Sequence, residues 1–580
     1  MGKTISLFIW GYQGHFRINL ETRAKGVLQE IASTLEPDAL LVGIRVPEKT
    51  HGAPVCLEPE DEDWDPALFA NCARRTEEIY EKHEDHNVLY GDEARTRDQP
   101  ENIRKSSVLR AVRETFESYD HSNGTRTFCA WPERIGGYYV VCALQFNKAQ
   151  FDEYPVLEEP IRYADYVSSG GFLNFVIDEL LTEARRGLWG PDPGRFHDTL
   201  DTDREAIFRK AGDSFCSVLS LATKDLMFQR AFEKFNKISA LLYEGTAGVG
   251  RLVVVAPDHE ALVLQIEFSN TVPLEQSRWA RKILEMGIGD LCCACSGAQG
   301  IRGLGTLTNA DADGLFLIEF TGHFKWQLRH KGKILLQSAF GVPRLPRALL
   351  KEAIYKSTFR RLFDDVDQQD EERSWQIVQA AIKQQHGTMI VISENAEKEA
   401  ARLKTQSTPI SPVLLSAELV DRVSGIDGAI LIDKHGTCMA LGVILDGIAA
   451  EYGDPARGAR FNSAIRYLGS QDDVATLVLV ISEDGTVDMI PTLRQQIARS
   501  AIERRIARLR QCSFDNFHKT RNWLREQAFY LDAEQCKSVN EQVSRIEGAP
   551  RDARILHIET GTFEPHPDMD QSYYLPEPLK

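Results

Sequence analysis

The chain has 580 residues, 43% hydrophobic, 26% charged and 9% aromatic, with a formal net charge of −17. That length exceeds a single core and predicts three or four domains. The acidic balance argues against a protein that coats nucleic acid, which needs a basic face to replace counterions; no run of 18 apolar residues is present to span a membrane.

The start, Ser6–Trp10, reads as an immediate strand with no leader ahead of it. A loop Gly11–Phe16 follows, then a helix from about Leu20 to Leu35 and a strand Ala39–Val46. The acidic run Glu58-Pro59-Glu60-Asp61-Glu62-Asp63 reads as a solvated loop, since proline interrupts it and like charges repel. The strand Gly137–Phe146 closes a first part whose pattern is α/β or α+β. From Tyr163 to Phe235 the pattern is helical, with glycine- and proline-rich punctuation between residues 150 and 200.

Eleven cysteines at irregular spacing imply reduced thiols and a cytoplasmic setting. Cys292, Cys293 and Cys295 crowd together, but adjacent strand residues point to opposite faces, so a buried strand is expected there instead of a metal site.

Two segments of the chain look alike. Gly250-Arg251-Leu252-Val253 parallels Gly387-Thr388-Met389-Ile390, and a helix Arg278–Met286 parallels Leu414–Val423. The pairs Gly250/Gly387, Asp290/Asp427 and Gly305/Gly442 are each separated by 137 residues. One spacing shared by several anchors predicts a repeated fold over about 245–345 and 382–492, with Asp290 opposite Asp427. A helix Arg347–Leu362 and an acidic linker Asp364–Glu372 lie between the copies. After Pro491 a long helix is expected over Leu493–Arg510, with Leu493, Ile497, Ala501 and Ile506 on its apolar stripe. Its six arginines read as a solvated face that balances an acidic body, against a nucleic-acid or phosphate patch as the alternative. The proline-bearing tail from Gly561 reads as a loose end.

The second copy carries the chemistry. Asp427 precedes Gly428 and Ala429 at the mouth of an apolar strand, and the glycine lets a backbone approach closely. About thirty residues on, after the flexible run Glu451–Pro455, comes Arg457-Gly458-Ala459-Arg460-Phe461-Asn462-Ser463-Ala464, which opens a helix to about Leu468. A helix start suits phosphate, and Arg460 and Ser463 add donors. The strand Ala475–Ile481 then places Ser482 and Glu483 at its end. Two acids and a glycine-arginine loop in this order are the parts of a nucleotide-and-metal site.

This order and spacing resemble the diadenylate cyclase domain, with its Asp-Gly-Ala, Gly-Thr-Arg-His-Arg and Ser-Glu-Glu motifs. The resemblance covers about Gln385 to Leu493. It implies a nucleotidyltransferase that takes nucleoside triphosphate, ATP favoured, with Mg²⁺ or Mn²⁺, and releases pyrophosphate. Catalytic roles fall on Asp427, Arg460 and Glu483, and metal ligation on Asp427 and Glu483. Nucleotide binding falls on Gly428, Ala429, Leu441, Gly458, Arg460, Asn462, Ser463, Arg466 and Ser482. The family's His and second Arg are here Phe461 and Asn462, and Arg466, four residues past Asn462, is the candidate replacement charge. The change leaves open another base, a linear product, or a site that binds without catalysis. The resemblance also implies a homodimer or higher assembly in which two sites face each other, and an effector protein that responds to the signal.

Phe8–Gln13, Ser277–Lys282 and Gly303-Leu304-Gly305 resemble DACNV-like sensor regions fused ahead of cyclase domains in some bacterial proteins. That layout implies a detector coupled to a synthase, as in bacterial stress or antiphage signalling. The expected architecture is multidomain α/β. It runs as a sensor domain over 1–150, a helical connection over 151–235, a degenerate cyclase-like copy over 236–362, a mixed-sheet cyclase-like domain over 373–493, and a helical C-terminal segment over 494–580.

Overall fold

The computed structural model describes residues 9–32, 34–59, 66–88, 92–195, 203–242, 249–346, 350–384, 387–447, 458–471, 474–482, 487–494, 496–513, 517–548 and 561–575. Ser6–Phe8 of the expected first strand, most of the acidic run at 58–63, Glu451–Arg457, Glu483–Gly485 and the last prolines lie outside them. The chain divides into two compact units, Met1–Pro346 and Arg347–Lys580. Among the described residues no helix is long and apolar enough to cross a membrane.

The first unit opens with α1 (Gln13–Ile31), β1 (Asp38–Arg45), β2 (Val55–Glu58), α2 (Cys72–Glu81) and α3 (Glu93–Asn123). There follow β3 (Thr125–Cys129), β4 (Glu133–Ile135), β5 (Tyr138–Asn147), α4 (Lys148–Phe151), and the short pair β6 (Ile161–Tyr163) and β7 (Tyr166–Ser168). The first sheet has the order β2-β1-β5-β3, with β4 also on β5. Helix α1 begins at Gln13, seven residues before the expected start at Leu20: Gln13, Phe16 and Leu20 share its buried face, so the expected loop is its first turn.

Four helices come next: α5 (Phe172–Gly187), α6 (Arg204–Cys216), α7 (Val218–Ala222) and α8 (Ala231–Ser239). The second sheet is built from β8 (Gly250–Val254), β9 (Leu262–Val272), α9 (Ser277–Leu284), β10 (Leu291–Cys295), β11 (Ile301–Leu307), β12 (Phe316–Gly322), β13 (Lys325–His330), β14 (Lys333–Ala339) and β15 (Val342–Arg344). One continuous core runs from Phe16 through Phe172, Phe215 and Phe235 to Leu345. Cys292, Cys293 and Cys295 are buried on β10, and burial pushes the first up to about 11 and the other two to about 12. Among the described residues no group of three His, Cys, Asp or Glu gathers to hold a metal.

In the second unit, α10 (Glu352–Leu362) and α11 (Gln368–Ile382) precede the sheet. The expected acidic linker is largely the first turn of α11. Asp367 caps it, accepting from the Asp370 amide at 2.8 Å, so the acids sit at the positive end of a helix. Tyr355, Phe359 and Phe363 pack with Trp375 and Val378 in the core of this unit, which places α10 with the downstream sheet. The sheet elements are β16 (Thr388–Ser393), α12 (Ala396–Arg402), β17 (Thr408–Leu414), α13 (Ala417–Val423), β18 (Ala429–Ile432), β19 (Thr437–Val443), α14 (Ala459–Leu468), β20 (Thr476–Ile481) and β21 (Val487–Ile490). The chain ends in α15 (Arg499–Gln511), α16 (His518–Glu526) and α17 (Ala533–Glu547). The expected helix start at Leu493 is displaced to Arg499, and the buried stripe is Ile502, Ile506 and Leu509. Several of its arginines are engaged: Arg499 pairs with Glu503 and Asp532, and Arg505 lies over Trp523.

The two large sheets share a plan. The downstream order is β17-β19-β18-β16-β20-β21, and the upstream sheet contains β9-β11-β10-β8-β12-β13 in the same sequence of roles. In both, the first and third strands pair parallel and the remaining pairs are antiparallel. The expected equivalence of Asp290 and Asp427 slips by one residue. Leu252 pairs with Cys293, whereas its counterpart Met389 pairs with Ala429, so the ladder sets Leu291 opposite Asp427. Residues 308–315, all described, join β11 to β12 without a helix, so the upstream copy has no counterpart of α14.

Candidate functional site at one edge of the second-unit sheet

Four strand ends meet at one edge. Met389 pairs with Ala429 in the parallel ladder, Thr388 pairs with Ile481, and Ala429 pairs with Val443. The starts of β16 and β18 therefore lie level with the ends of β19 and β20. This brings Asp427-Gly428 and Ser482 to the same edge from segments far apart in sequence.

The Asp427 turn is held by backbone contact. Gly428 has φ +107°, and a Cβ there would come within 2.5 Å of the Gly442 carbonyl carbon. Gly442 is itself at φ +61°. A side chain at 428 would collide with the Gly442 backbone, and one at 442 would meet Ile426 Cγ2 at 2.8 Å and the Asp427 carbonyl at 3.2 Å. The Asp427 carboxylate is fully exposed, and its Oδ1 accepts from the Gly428 amide at 3.1 Å. Ala429 is buried as the first residue of β18, and Leu441 is half-buried on β19 beside Gly442.

Helix α14 lies on the sheet face that holds Met389, Val391, Val478 and Val480, with Ala464 and Tyr467 fully buried against them. Gly458 caps its start in extended conformation, so Arg460 falls in the first turn. Arg460 Nη2 stands 3.7 Å from Asp427 Oδ1. Asn462 donates from Nδ2 to the Gly458 carbonyl at 3.3 Å, and Ser463 is half-buried on the same helix start. Arg466 is exposed in the last turn, about 9 Å along the axis from Arg460 at the usual rise per residue. Ser482 is half-buried just past β20; Glu483 lies outside the described residues.

A polar anchor behind α14 fixes its position. The Glu399 carboxylate accepts from Tyr467 Oη at 2.9 Å, Gln471 Nε2 at 3.0 Å and Arg402 Nη2 at 2.8 Å. Arg402 also forks onto both oxygens of Asp446 at 2.7 and 2.9 Å. The Arg402 hydrogen bonds hold Asp446 below the usual carboxylate range. Burial alone would raise Glu399, but hydrogen bonds from Arg402 and Tyr467 outweigh it and hold the carboxyl down. Burial, then the neighbouring Glu399 charge, pushes the Tyr467 phenol up. Glu399 was not singled out from sequence, because an acid three residues before an arginine is common on any helix.

Family models match three stretches. Residues 9–216 match "Probable sensor domain DACNG" and residues 229–332 match "Probable sensor domain DACNH". Residues 376–492 match "DisA bacterial checkpoint controller nucleotide-binding". Residues 376–492 thus carry a diadenylate-cyclase-type nucleotide-binding domain, with two sensor-type domains ahead of it. The matched sensor models are DACNG and DACNH, and the upstream copy of the cyclase sheet falls within the second. No curated protein matches the sequence. Among solved structures, a hypothetical membrane spanning protein from Bacillus cereus is 22% identical over 23% of this chain and 64% of its own, with a TM-score of 0.19. A double mutant of DacA from Staphylococcus aureus is 19% identical over 24% of this chain and 92% of its own, with a TM-score of 0.18. The match spans less than two thirds of the first of these chains.

The diadenylate cyclase domain thus has a nucleotide-binding type of core with an acid and an arginine set at one edge. Its upstream relative has the same strand order but a leucine at the acid's position and no arginine helix.

Proposed function

We propose that the chain is a sensor-coupled synthase that makes a di- or oligonucleotide signal from nucleoside triphosphates. The observation that carries this is the approach of Arg460 to Asp427 at a sheet edge inside the domain matched at 376–492. The start of α14 turns the positive end of a helix dipole toward phosphate, with Arg460 in the first turn as a forked donor. Asp427 is free to orient an attacking hydroxyl or to share a cation with the phosphates. Mg²⁺ commonly binds through one or two carboxylates plus substrate phosphates, so one exposed aspartate at a phosphate-binding helix start fits the group. A bound Mg²⁺ or Mn²⁺ would neutralise phosphate charge. Glu483, next in sequence to Ser482, is the second carboxylate of the proposed set.

Assembly into homodimers or higher oligomers belongs to the same reading. Ile426 and Ile444, which border the Asp427 turn, are exposed, as are Val413 and Leu414 on the edge strand β17. A self-associating face around the site would bring two nucleotides together. The product would be read by an effector protein, in bacterial stress or antiphage signalling. The test is incubation of the full chain with each nucleoside triphosphate and Mn²⁺, with products identified by mass spectrometry; ATP is the favoured substrate.

A second reading has its own observation. Phe461 and Asn462 stand where the family has an imidazole and a guanidinium, and both occupy the first turns of α14. A site that binds nucleotide without turning it over fits this loss of charge. Binding of a nucleotide with no product formed would favour it.

A further inference from the structure

Two buried hydroxyls at this sheet edge have no hydrogen-bond partner among the described residues: Thr388 Oγ1 and Ser424 Oγ. Their residues are 1% and 2% exposed. Thr388 opens β16 and pairs with Ile481 on one side; on the other it runs level with Gly428. It therefore lies between the Asp427-Gly428 turn and the strand end at Ser482. Alternation along β16 sets Thr388 on the side of Ile390 and Ile392. Those two pack with Val420 of α13, and Ser424 closes that helix. Helix α14 and Arg460 belong to the opposite side, with Met389 and Val391. The edge thus has a cationic helix start on one face and two neutral hydroxyls on the other.

The contrast with the far end of the same strand pair is informative. There Thr476 Oγ1 donates to Ser393 Oγ at 3.2 Å, so polar residues of the ladder satisfy each other. At the site end Thr388 faces Ile481, which offers nothing. Buried polar groups are nearly always paired, and valine or alanine would fill these places without that desolvation cost.

We propose that Thr388 and Ser424 read the uncharged end of the nucleotide, its ribose hydroxyls or base edge, while Arg460 and the α14 start take the phosphates. This rests on the nucleotide-binding reading above. A hydroxyl both donates and accepts, which suits a sugar hydroxyl or base edge and adds little for a triphosphate already short of cations. Both oxygens are covered in the free chain, so entry of the nucleoside has to uncover them.

The test is calorimetric binding to the full chain, as wild type, Thr388→Val and Ser424→Ala. The probes are ATP, 2′-deoxy-ATP, GTP and inorganic tripolyphosphate, all with Mn²⁺. Each variant should lose about threefold to tenfold in ATP affinity and keep its tripolyphosphate affinity. The free Thr388→Val protein should melt no lower than wild type, since an unpaired buried hydroxyl is replaced by a group of the same shape. A loss that shrinks with the deoxynucleotide assigns the contact to ribose; a loss that changes between ATP and GTP assigns it to the base. Unchanged ATP affinity in both variants, or an equal loss for tripolyphosphate, overturns the inference while leaving the site reading intact. Wild type that binds neither ATP nor tripolyphosphate overturns the site reading, and this inference with it.

Discussion

Arg460 reaches Asp427 across 3.7 Å, from the first turn of a helix to a turn more than thirty residues earlier in the chain. The pair is exposed on both sides, and exposed ion pairs contribute about 0–1 kcal/mol. It is therefore easily exchanged for phosphate and cation, which is what a binding site needs from its resting contacts.

Arg460→Ala should leave the fold in place and weaken nucleotide binding. A charged hydrogen bond to phosphate contributes roughly 1.5–3 kcal/mol, about tenfold to a hundredfold in affinity. Thermal melting should move little, and titration calorimetry with ATP and Mn²⁺ should show the loss. A melt that collapses while residual binding is unchanged would make Arg460 a structural residue.

Gly428→Ala should act through the backbone. The added carbon meets the Gly442 carbonyl carbon at 2.5 Å, and φ +107° is strained for any side chain. A cost of roughly 1–3 kcal/mol is expected. Gly425→Ala is the control, because a Cβ there meets nothing within 4 Å among the described residues. Differential scanning calorimetry should separate the two variants; equal melting would remove the Gly428–Gly442 contact from the account of the site.

The Glu399 anchor predicts a pH dependence. Asp446 and Glu399 are both held below their ordinary values in the folded chain, so they keep their charge when the unfolded chain would take up protons. Their stabilisation is fully present above the unfolded carboxylate range, about pH 4 to 4.5, and is lost as pH falls through the lowered folded values. Tyr467→Phe removes one donor to a buried carboxylate and should cost roughly 1.5–3 kcal/mol at neutral pH. The deficit should shrink on acidification, as Glu399 is protonated. Chemical denaturation at several pH values measures it, and a deficit independent of pH would mean the phenol matters only for packing.

Much of the second unit was legible in the sequence because its signals are local. Asp427-Gly428 before an apolar run marks the start of β18, and Gly458 before Arg460 marks the start of α14. The repeat was legible through its even spacing, but the ladder shifts by one residue at β10, and only pairing shows that. The 31-residue α3 was not legible: it is strongly polar and carries Pro100, so neither a long apolar stripe nor an uninterrupted helical run announces it. Thr388 and Ser424 left no signal at all. A single hydroxyl has no spacing to read, and its interest comes from lacking a partner among the described residues.

The last prediction concerns the charge missing at Phe461 and Asn462. Arg466 is the candidate replacement, and its position limits what it can do. Six residues along α14 from Arg460, it lies about 9 Å further down the axis, in the last turn. From there it can serve only the far end of a phosphate chain whose near end lies at Arg460. Arg466→Ala should therefore abolish or strongly reduce triphosphate binding and synthesis while leaving monophosphate affinity within about twofold, with the melting temperature unchanged. Asp427→Ala should abolish synthesis for a different reason, loss of the group that orients the hydroxyl or shares the cation. The comparison is calorimetry with ATP and AMP, alongside product analysis by mass spectrometry. If Arg466→Ala keeps full triphosphate affinity, Arg466 is a surface charge. The site would then work, if it works, with one guanidinium and one cation. In that case Phe461→His with Asn462→Arg should raise triphosphate affinity at least tenfold, the value of one charged contact regained.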